Sequence, residues 1–229
     1  MIRLGVVTGM ATEARCLPRS EAGDAVQVVC SGGDSGRAAA GAKGLLARGA
    51  NGLLSFGLAG GIDPALAAGA VVIGDTVIAS DGRRWEVGRS WRDALVTALA
   101  GLGPVVGAIA GSDRPLATVA GKRALYAATG ALAVDMESHA IARVAAENGI
   151  PFVTLRVVAD PAKRALPRSA LAGLGADGQI RTGAVLWRLA LRPWEAPRIV
   201  ALALDTRRAL AALRRCSAAA DALLGGGSV

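Results

Sequence analysis

The sequence predicts one α/β domain: a central mixed, mostly parallel sheet flanked by helices, with a helical extension at the C-terminal end. Two observations carry this. Short runs of Val, Ile and Leu alternate with Ala-rich stretches of helical spacing through the first 160 residues, the rhythm that parallel strands and crossover helices produce. The composition, 52% hydrophobic and 19% charged over 229 residues, supplies one large core, and at 3% aromatics that core is built from small aliphatic side chains.

The elements follow in order. "IRLGVVTG" is an apolar run closed by glycine, and "MATEARCL" after it has helical character. "AVQVVCSGG" repeats the strand-then-glycine pattern and leads into the Ala-rich helix "GRAAAGAKGLLARG". "GLLSFGLAGG" and "AVVIGDTVIAS" are the third and fourth strands, "SWRDALVTALAGLG" a helix and "VVGAIAGSD" a strand. "GKRALYAATG" is helical, "LAVDME" a strand into a turn, "SHAIARVAAENG" a helix stopped by glycine, and "PFVTLRVVAD" the last core strand. The core is assigned to residues 1–162, and residues 163–229 form a basic helical extension of the same domain. The uncharged run from Ala94 to Ser112 is long enough to raise the question of a membrane span, but Pro104 and several glycines divide it into a helix end and a strand.

Charge is uneven. Residues 161–216 hold 11 Lys and Arg against 3 Asp and Glu, so the formal net charge of +8 sits in the last quarter of the chain. Three cysteines, Cys16, Cys30 and Cys216, without CxxC spacing argue against a disulfide framework or a zinc site. His139 is the one histidine, which excludes a multi-histidine metal site. The N-terminus enters a strand at once and lacks a signal-peptide pattern, so the protein is expected in the cytoplasm.

Ligands of open α/β sheets bind beyond the carboxyl ends of the strands. Glu13, Asp113, Glu137 and Asp160 all fall at such ends. Any one of them alone reads as a helix cap, held by free N–H groups and the helix dipole, and Asp135 followed by Ser138 has that look. Four together, after apolar strands and among glycines, point to a pocket in which burial moves carboxyl pKa values and acid–base chemistry is done. "SFGLAGGID" and "CSGGDSG" match neither GxGxxG nor GxxxxGK[ST], so glycine spacing alone gives no strong phosphate site.

Three stretches carry a resemblance: "GVVTGMATEA", "FGLAGGIDPALAAGAVVIGDTVI" and "VDMESHAIARVAAENGIPFVTLRVVAD". In sequence and order they resemble the hallmark segments of the superfamily of purine nucleoside phosphorylases and methylthioadenosine/S-adenosylhomocysteine nucleosidases. The tail after Asp160 is similar to that of the hopanoid-associated branch, whose members act on adenosylhopane. The resemblance implies a nucleoside-phosphorylase-type fold and cleavage of an adenine N-glycosidic bond, with no metal or organic cofactor and phosphate as a possible co-substrate. It implies Asp160 as the acid that protonates N7 of the purine. Glu137 with Met136 matches the pair that holds the ribose, and Glu13 the carboxylate that orients the attacking water. Gly9, Leu58, Ala59 and Gly60 are placed in the pocket; Asp113, Pro115 and Leu116 are placed at the adenine. A carboxylate at Glu13, where phosphorylases of the superfamily carry a phosphate-binding arginine, favours hydrolysis over phosphorolysis. Arg15, two residues on, is read as a solvated helix residue.

Two departures point to an unusual substrate. Leu58 stands where the nucleosidases have a serine near the ribose, and "GSDRPLAT" offers Pro115 or Leu116 in place of an aromatic at the base. Both fit a ligand with an apolar 5′ end; ordinary methylthioadenosine/S-adenosylhomocysteine salvage is the alternative. His139 is placed inside a helix, in a structural or surface role.

In the tail, Ile199, Leu202, Leu210 and Leu213 share one side of a helix while Arg207, Arg208, Arg214 and Arg215 take the other. Arg181, Arg188 and Arg192 share a face near Trp187 and Trp194. This is either a surface helix with solvated arginines or an element that faces an anionic membrane through Trp187, Trp194, Arg207 and Arg208, drawing in a lipid-linked nucleoside at the inner membrane face. The calculated pI of 10.6 also admits a nucleic-acid binder, a reading that leaves Glu13, Glu137 and Asp160 without a purpose. A homodimer is the assembly that the resemblance implies.

Overall fold

The computed structural model describes residues 3–17, 26–172 and 182–224. Eight strands lie in it: β1 (Leu4–Thr8), β2 (Val26–Cys30), β3 (Gly52–Gly61), β4 (Val71–Ile78), β5 (Arg84–Glu86), β6 (Val105–Gly111), β7 (Ala133–Asp135) and β8 (Phe152–Asp160). The helices are α1 (Ala11–Ala14), α2 (Ser35–Ala47), α3 (Arg89–Ala98), α4 (Val119–Thr129), α5 (Ser138–Glu147), α6 (Arg168–Leu171), α7 (Thr182–Ala190), α8 (Ala196–Ala219) and α9 (Asp221–Leu224).

Local chemistry sets several of these boundaries. Asp34 caps α2 by accepting from the Arg37 amide at 2.8 Å, and Thr118 caps α4 by accepting from Gly121 at 3.0 Å. Gly130 ends α4 in the left-handed region, φ 67°, where a side chain would be strained. Every residue of β8 is buried, which accounts for its mostly apolar sequence and means that Thr154, Arg156 and Asp160 must find partners inside.

The strand order is β2-β1-β3-β7-β6-β4-β5, with β8 pairing to β3 and β4. Five pairings are parallel and three antiparallel, so the sheet is mixed and mostly parallel as expected. Because the long β3 bonds β8 along most of its length and β7 at its end, strands β3, β8, β4, β6 and β7 close into a barrel-like ring. Inside and around it lie Leu53, Leu54, Phe56, Ile73, Leu155 and Val157, with Ile141 and Val144 of α5 on one side. Each such side chain contributes about 1.5–3 kcal/mol by leaving water.

The stretch Ala94–Ser112 divides into the end of α3, a short 3-10 turn and β6, and no described helix is long and apolar enough to cross a membrane. β5, three residues paired antiparallel to β4, was not foreseen. Helix α8 packs on β8 through Ala209, Leu213 and Cys216, with Ile199, Leu202 and Leu210 half-buried, while Arg207, Arg208, Arg214 and Arg215 are exposed. The same buried stripe includes Asp205, which pairs with Arg164 at 2.8 Å. Arg181 lies outside the described residues.

Candidate active site

The carboxyl ends of β1, β3, β7 and β8 surround a cavity of about 560 Å³. Gly9, Glu13, Leu58, Ala59, Gly60, Asp113, Pro115, Leu116, Met136, Glu137 and Asp160 all line it, so the structure brings the sequence-selected residues together. Val134 and Leu166 add apolar surface, and Arg37 and Arg114 are the cations among the lining residues.

Glu13 enters from α1, directly after the glycine turn that follows β1. Its Oε2 accepts from the amides of Gly9 and Met10, both at 2.8 Å, and its Oε1 from the amide of Leu58 at 2.9 Å. Burial pushes the carboxyl up; Arg156 and the three amides oppose that. Glycine is required here by close approach: a Cβ on Gly9 would lie 2.8 Å from Glu137 Oε1, and one on Gly57 would lie 2.6 Å from Glu13 Oε2.

Glu137 is the N-cap residue of α5 and is almost fully buried. Its Oε2 lies 3.2 Å from Arg156 Nη2. Burial, with Asp135 and Glu13 nearby, raises its carboxyl to about 8 against the pull of Arg156. Arg156 is a residue that sequence reasoning missed. It sits wholly buried in the middle of β8, and its Nε lies 2.7 Å from Asp135 Oδ2 while Nη2 donates to Ser55 Oγ at 2.5 Å. Asp135 does cap α5, accepting from the amides of Glu137 and Ser138 and from the Ser138 hydroxyl, but it is also the main counter-ion of that guanidinium. The available signal was one charge inside an otherwise apolar strand, since such a charge must be paired.

Asp160 ends β8, with Gly60 of β3 alongside; a Cβ there would come within 3.3 Å of Oδ2. Its carboxylate meets the second missed residue, Lys122. This lysine is the buried residue of α4, and its Nζ donates to Asp160 Oδ2 at 2.5 Å, to Asp160 O at 2.8 Å and to Pro161 O at 3.1 Å. Burial pushes the Asp160 carboxyl up, and Lys122 pulls against it.

At the other wall, Asp113 is exposed and tied to both flanking helices: Ser35 Oγ of α2 donates to Oδ1 at 2.6 Å, and His139 Nε2 of α5 lies 3.3 Å from the same atom. The Ser35 bond, first among the causes, lowers its carboxyl. His139 lines a separate hollow behind this contact, in keeping with a structural role. Arg15 is exposed and stands off the cavity. Trp187 and Trp194 are also elsewhere, 63% and 68% exposed, and border a hollow with Arg188, Leu191 and Arg192 rather than with Arg207 and Arg208. Among the described residues, no group of three or more His, Cys, Asp or Glu could hold a metal ion.

Chemically, the cavity offers one acid end at Asp160, a group of three carboxyls (Glu13, Asp135 and Glu137) around Arg156 suited to hydroxyl groups and water, and aliphatic walls between them. Comparison with solved structures gives the same fold. The 5′-methylthioadenosine/S-adenosylhomocysteine nucleosidase of Neisseria meningitidis, in complex with methylthio-immucillin-A, superposes with a TM-score of 0.70 at 19% identity, over 97% of this chain and 98% of that one. The nucleosidase of Colwellia psychrerythraea in complex with adenine gives 0.61 at 24% identity, over 71% and 84%. Futalosine hydrolase of Helicobacter pylori gives 0.65 at 18% identity, over 82% and 98%. A comparison with curated proteins returned no match. The sequence profile described as the phosphorylase superfamily matches residues 19–179, more than half of the chain, and the chain therefore belongs to the phosphorylase superfamily.

Proposed function

We propose that this member of the phosphorylase superfamily cleaves the adenine N-glycosidic bond of a 5′-modified adenosine, adenosylhopane in hopanoid side-chain synthesis, releasing adenine to water. The observation that carries the reading is the convergence of Asp160, Glu137 and Glu13 on one apolar-walled cavity. Breaking the C1′–N9 bond leaves an oxocarbenium-like ribose, and adenine departs as a neutral species once N7 is protonated. Asp160 supplies that proton, a transfer worth roughly 10²- to 10⁴-fold when the acid is positioned. Glu137 accepts from the ribose hydroxyls, with Met136 beside it. Glu13, its charge oriented by three backbone amides, aims the attacking water at C1′.

Asp113, Pro115 and Leu116 hold the base between aliphatic groups. Leu58 and Leu166 favour an apolar 5′ substituent whose far end leaves the mouth of the cavity. Exposed Leu186, Trp187, Leu191 and Trp194, with Arg188 and Arg192, fit a peripheral position on the cytoplasmic face of an anionic membrane that would hold such a substrate. The assembly is proposed to be a homodimer.

Phosphorolysis is the second reading, favoured by Arg37 among the cavity-lining residues. Purified protein is given adenosylhopane in detergent with and without phosphate, beside methylthioadenosine and adenosine, and free adenine is followed by chromatography. Adenine from the lipid substrate without phosphate is expected. Release only with phosphate overturns the role of Glu13, and turnover of methylthioadenosine alone returns the enzyme to nucleoside salvage.

A further inference from the structure

A lysine with no exposed surface is costly unless its charge is fully matched. Lys122 is such a residue: α4 packs on the core through the half-buried Leu125 and Tyr126 and leaves Arg123 in water, yet Lys122 is its fully buried side chain and spends its donors on Asp160 and Pro161. It does not line the cavity, so it touches no ligand; it reaches the chemistry only through Asp160.

We infer that Lys122 is the positioning and charge-balancing residue of the leaving-group acid, fixing Asp160 so that Oδ1 is offered to the cavity and neutralising the carboxylate that forms when the proton leaves. The proton-transfer part rests on the function proposed above. In that step the Oδ1–H bond breaks and the N7–H bond forms, and the electron pair left behind makes Asp160 a carboxylate. The C1′–N9 pair passes into the purine, which departs neutral as its N7–H form. Without a cation, the new carboxylate would be an unpaired charge in a buried site, and the acid would hold its proton too tightly to be effective. Lys122 balances that charge from Oδ2 and so leaves Oδ1 for the ligand.

The surroundings leave this task to Lys122. The other cation acting on Asp160 is Arg164, from the loop that follows β8, and its guanidinium is engaged with Asp205 of α8 at 2.8 Å. β3 presents Gly60 and β7 presents Val134, neither of them charged. Burial and Lys122 are thus opposed influences on one carboxyl.

The test reads Asp160 directly, so it stands whether or not the substrate is correctly assigned. The protonated-carboxyl infrared band of Asp160, identified by its absence in Asp160→Asn, is titrated in the wild type and in Lys122→Met and Lys122→Gln. Both variants remove the charge and keep most of the side chain's bulk, and thermal unfolding establishes that each is folded. The midpoint is expected to rise by about one pH unit or more in both variants. A midpoint that stays in place, or falls, overturns the inference. Asp160→Asn gives a reading that needs no change at Lys122: the ¹⁵N resonance of Lys122 Nζ is expected to shift, and an unmoved resonance refutes the pair. In turnover, Lys122→Met is expected to lower kcat about ten- to a hundredfold with KM nearly constant, and to move the alkaline limb of kcat upward. A purely structural lysine would lower activity without moving that limb.

Discussion

Glu13, Asp135 and Glu137 crowd one guanidinium, and three carboxylates cannot all be ionised around a single buried cation without cost. Burial first, and then the neighbouring Asp135 and Glu13, raise the Glu137 carboxyl from the usual 4.5 to about 8 against the pull of Arg156. The folded state therefore binds this proton more tightly than the unfolded chain does. The stabilisation is fully present below pH 4.5 and is lost as the pH rises through about 8. Replacing Glu137 by Gln removes the ionisation, so the Tm difference, variant minus wild type, should become more positive between about pH 5 and pH 9. Thermal unfolding across that range measures it, and a constant difference would contradict the assignment. At this scale the sequence was partly legible. Glu13, Glu137 and Asp160 stood out because acids at the ends of apolar strands are unusual. Arg156 showed itself only as a charge within "FVTLRVVAD". Lys122 gave no signal, because a lysine beside an arginine in an Ala-rich helix normally faces water, and only the packing of α4 against the end of β8 turns it inward.

The strands position these groups, and glycine lets them come close enough. β4 runs antiparallel beside β8, and at Gly74, just past their paired residues, an added Cβ would fall 2.3 Å from Thr154 Cγ2. Gly74→Ala should cost about 1–3 kcal/mol by overpacking. Gly101→Ala, at a position with nothing within 4 Å, should cost far less. Urea denaturation of the pair measures the contrast; equal stabilities would mean that the contact between β4 and β8 has room to relax. The elements of the core were legible because each has its own period of apolar residues. The ring was not, since its closure depends on β3 being long enough to meet both β8 and β7, a property of register rather than of pattern. β5 escaped because three residues, "RWE", are too few to show alternation.

For the whole molecule, the charge asymmetry and the exposed apolar residues coincide. Val200 and Leu204 lie on the exposed stripe of α8 with Arg207 and Arg208, while Trp187 and Trp194 stand out just before that helix. Basic residues near an anionic bilayer contribute about 1 kcal/mol each, an attraction that salt screens. The protein should co-sediment with vesicles containing anionic lipid, and only weakly with neutral ones. Binding should fall at high salt and in the double variant Trp187→Ala, Trp194→Ala. Retention on duplex DNA with no vesicle binding would favour a nucleic-acid partner for the same surface. The sequence showed the basic tail and the nearness of Arg188 and Arg192 to Trp187 and Trp194; it also grouped Arg207 and Arg208 with those tryptophans, and these two do not border the same hollow.

Asp160 is proposed to deliver the proton on which glycosidic cleavage depends. Adenine release from adenosylhopane by wild-type protein and by Asp160→Asn, at equal concentration and with equal thermal stability, tests it most directly. Rapid release by the wild type is expected, with a loss of about 10²-fold or more in the variant, which should still bind adenine. Near-normal release by Asp160→Asn would contradict it.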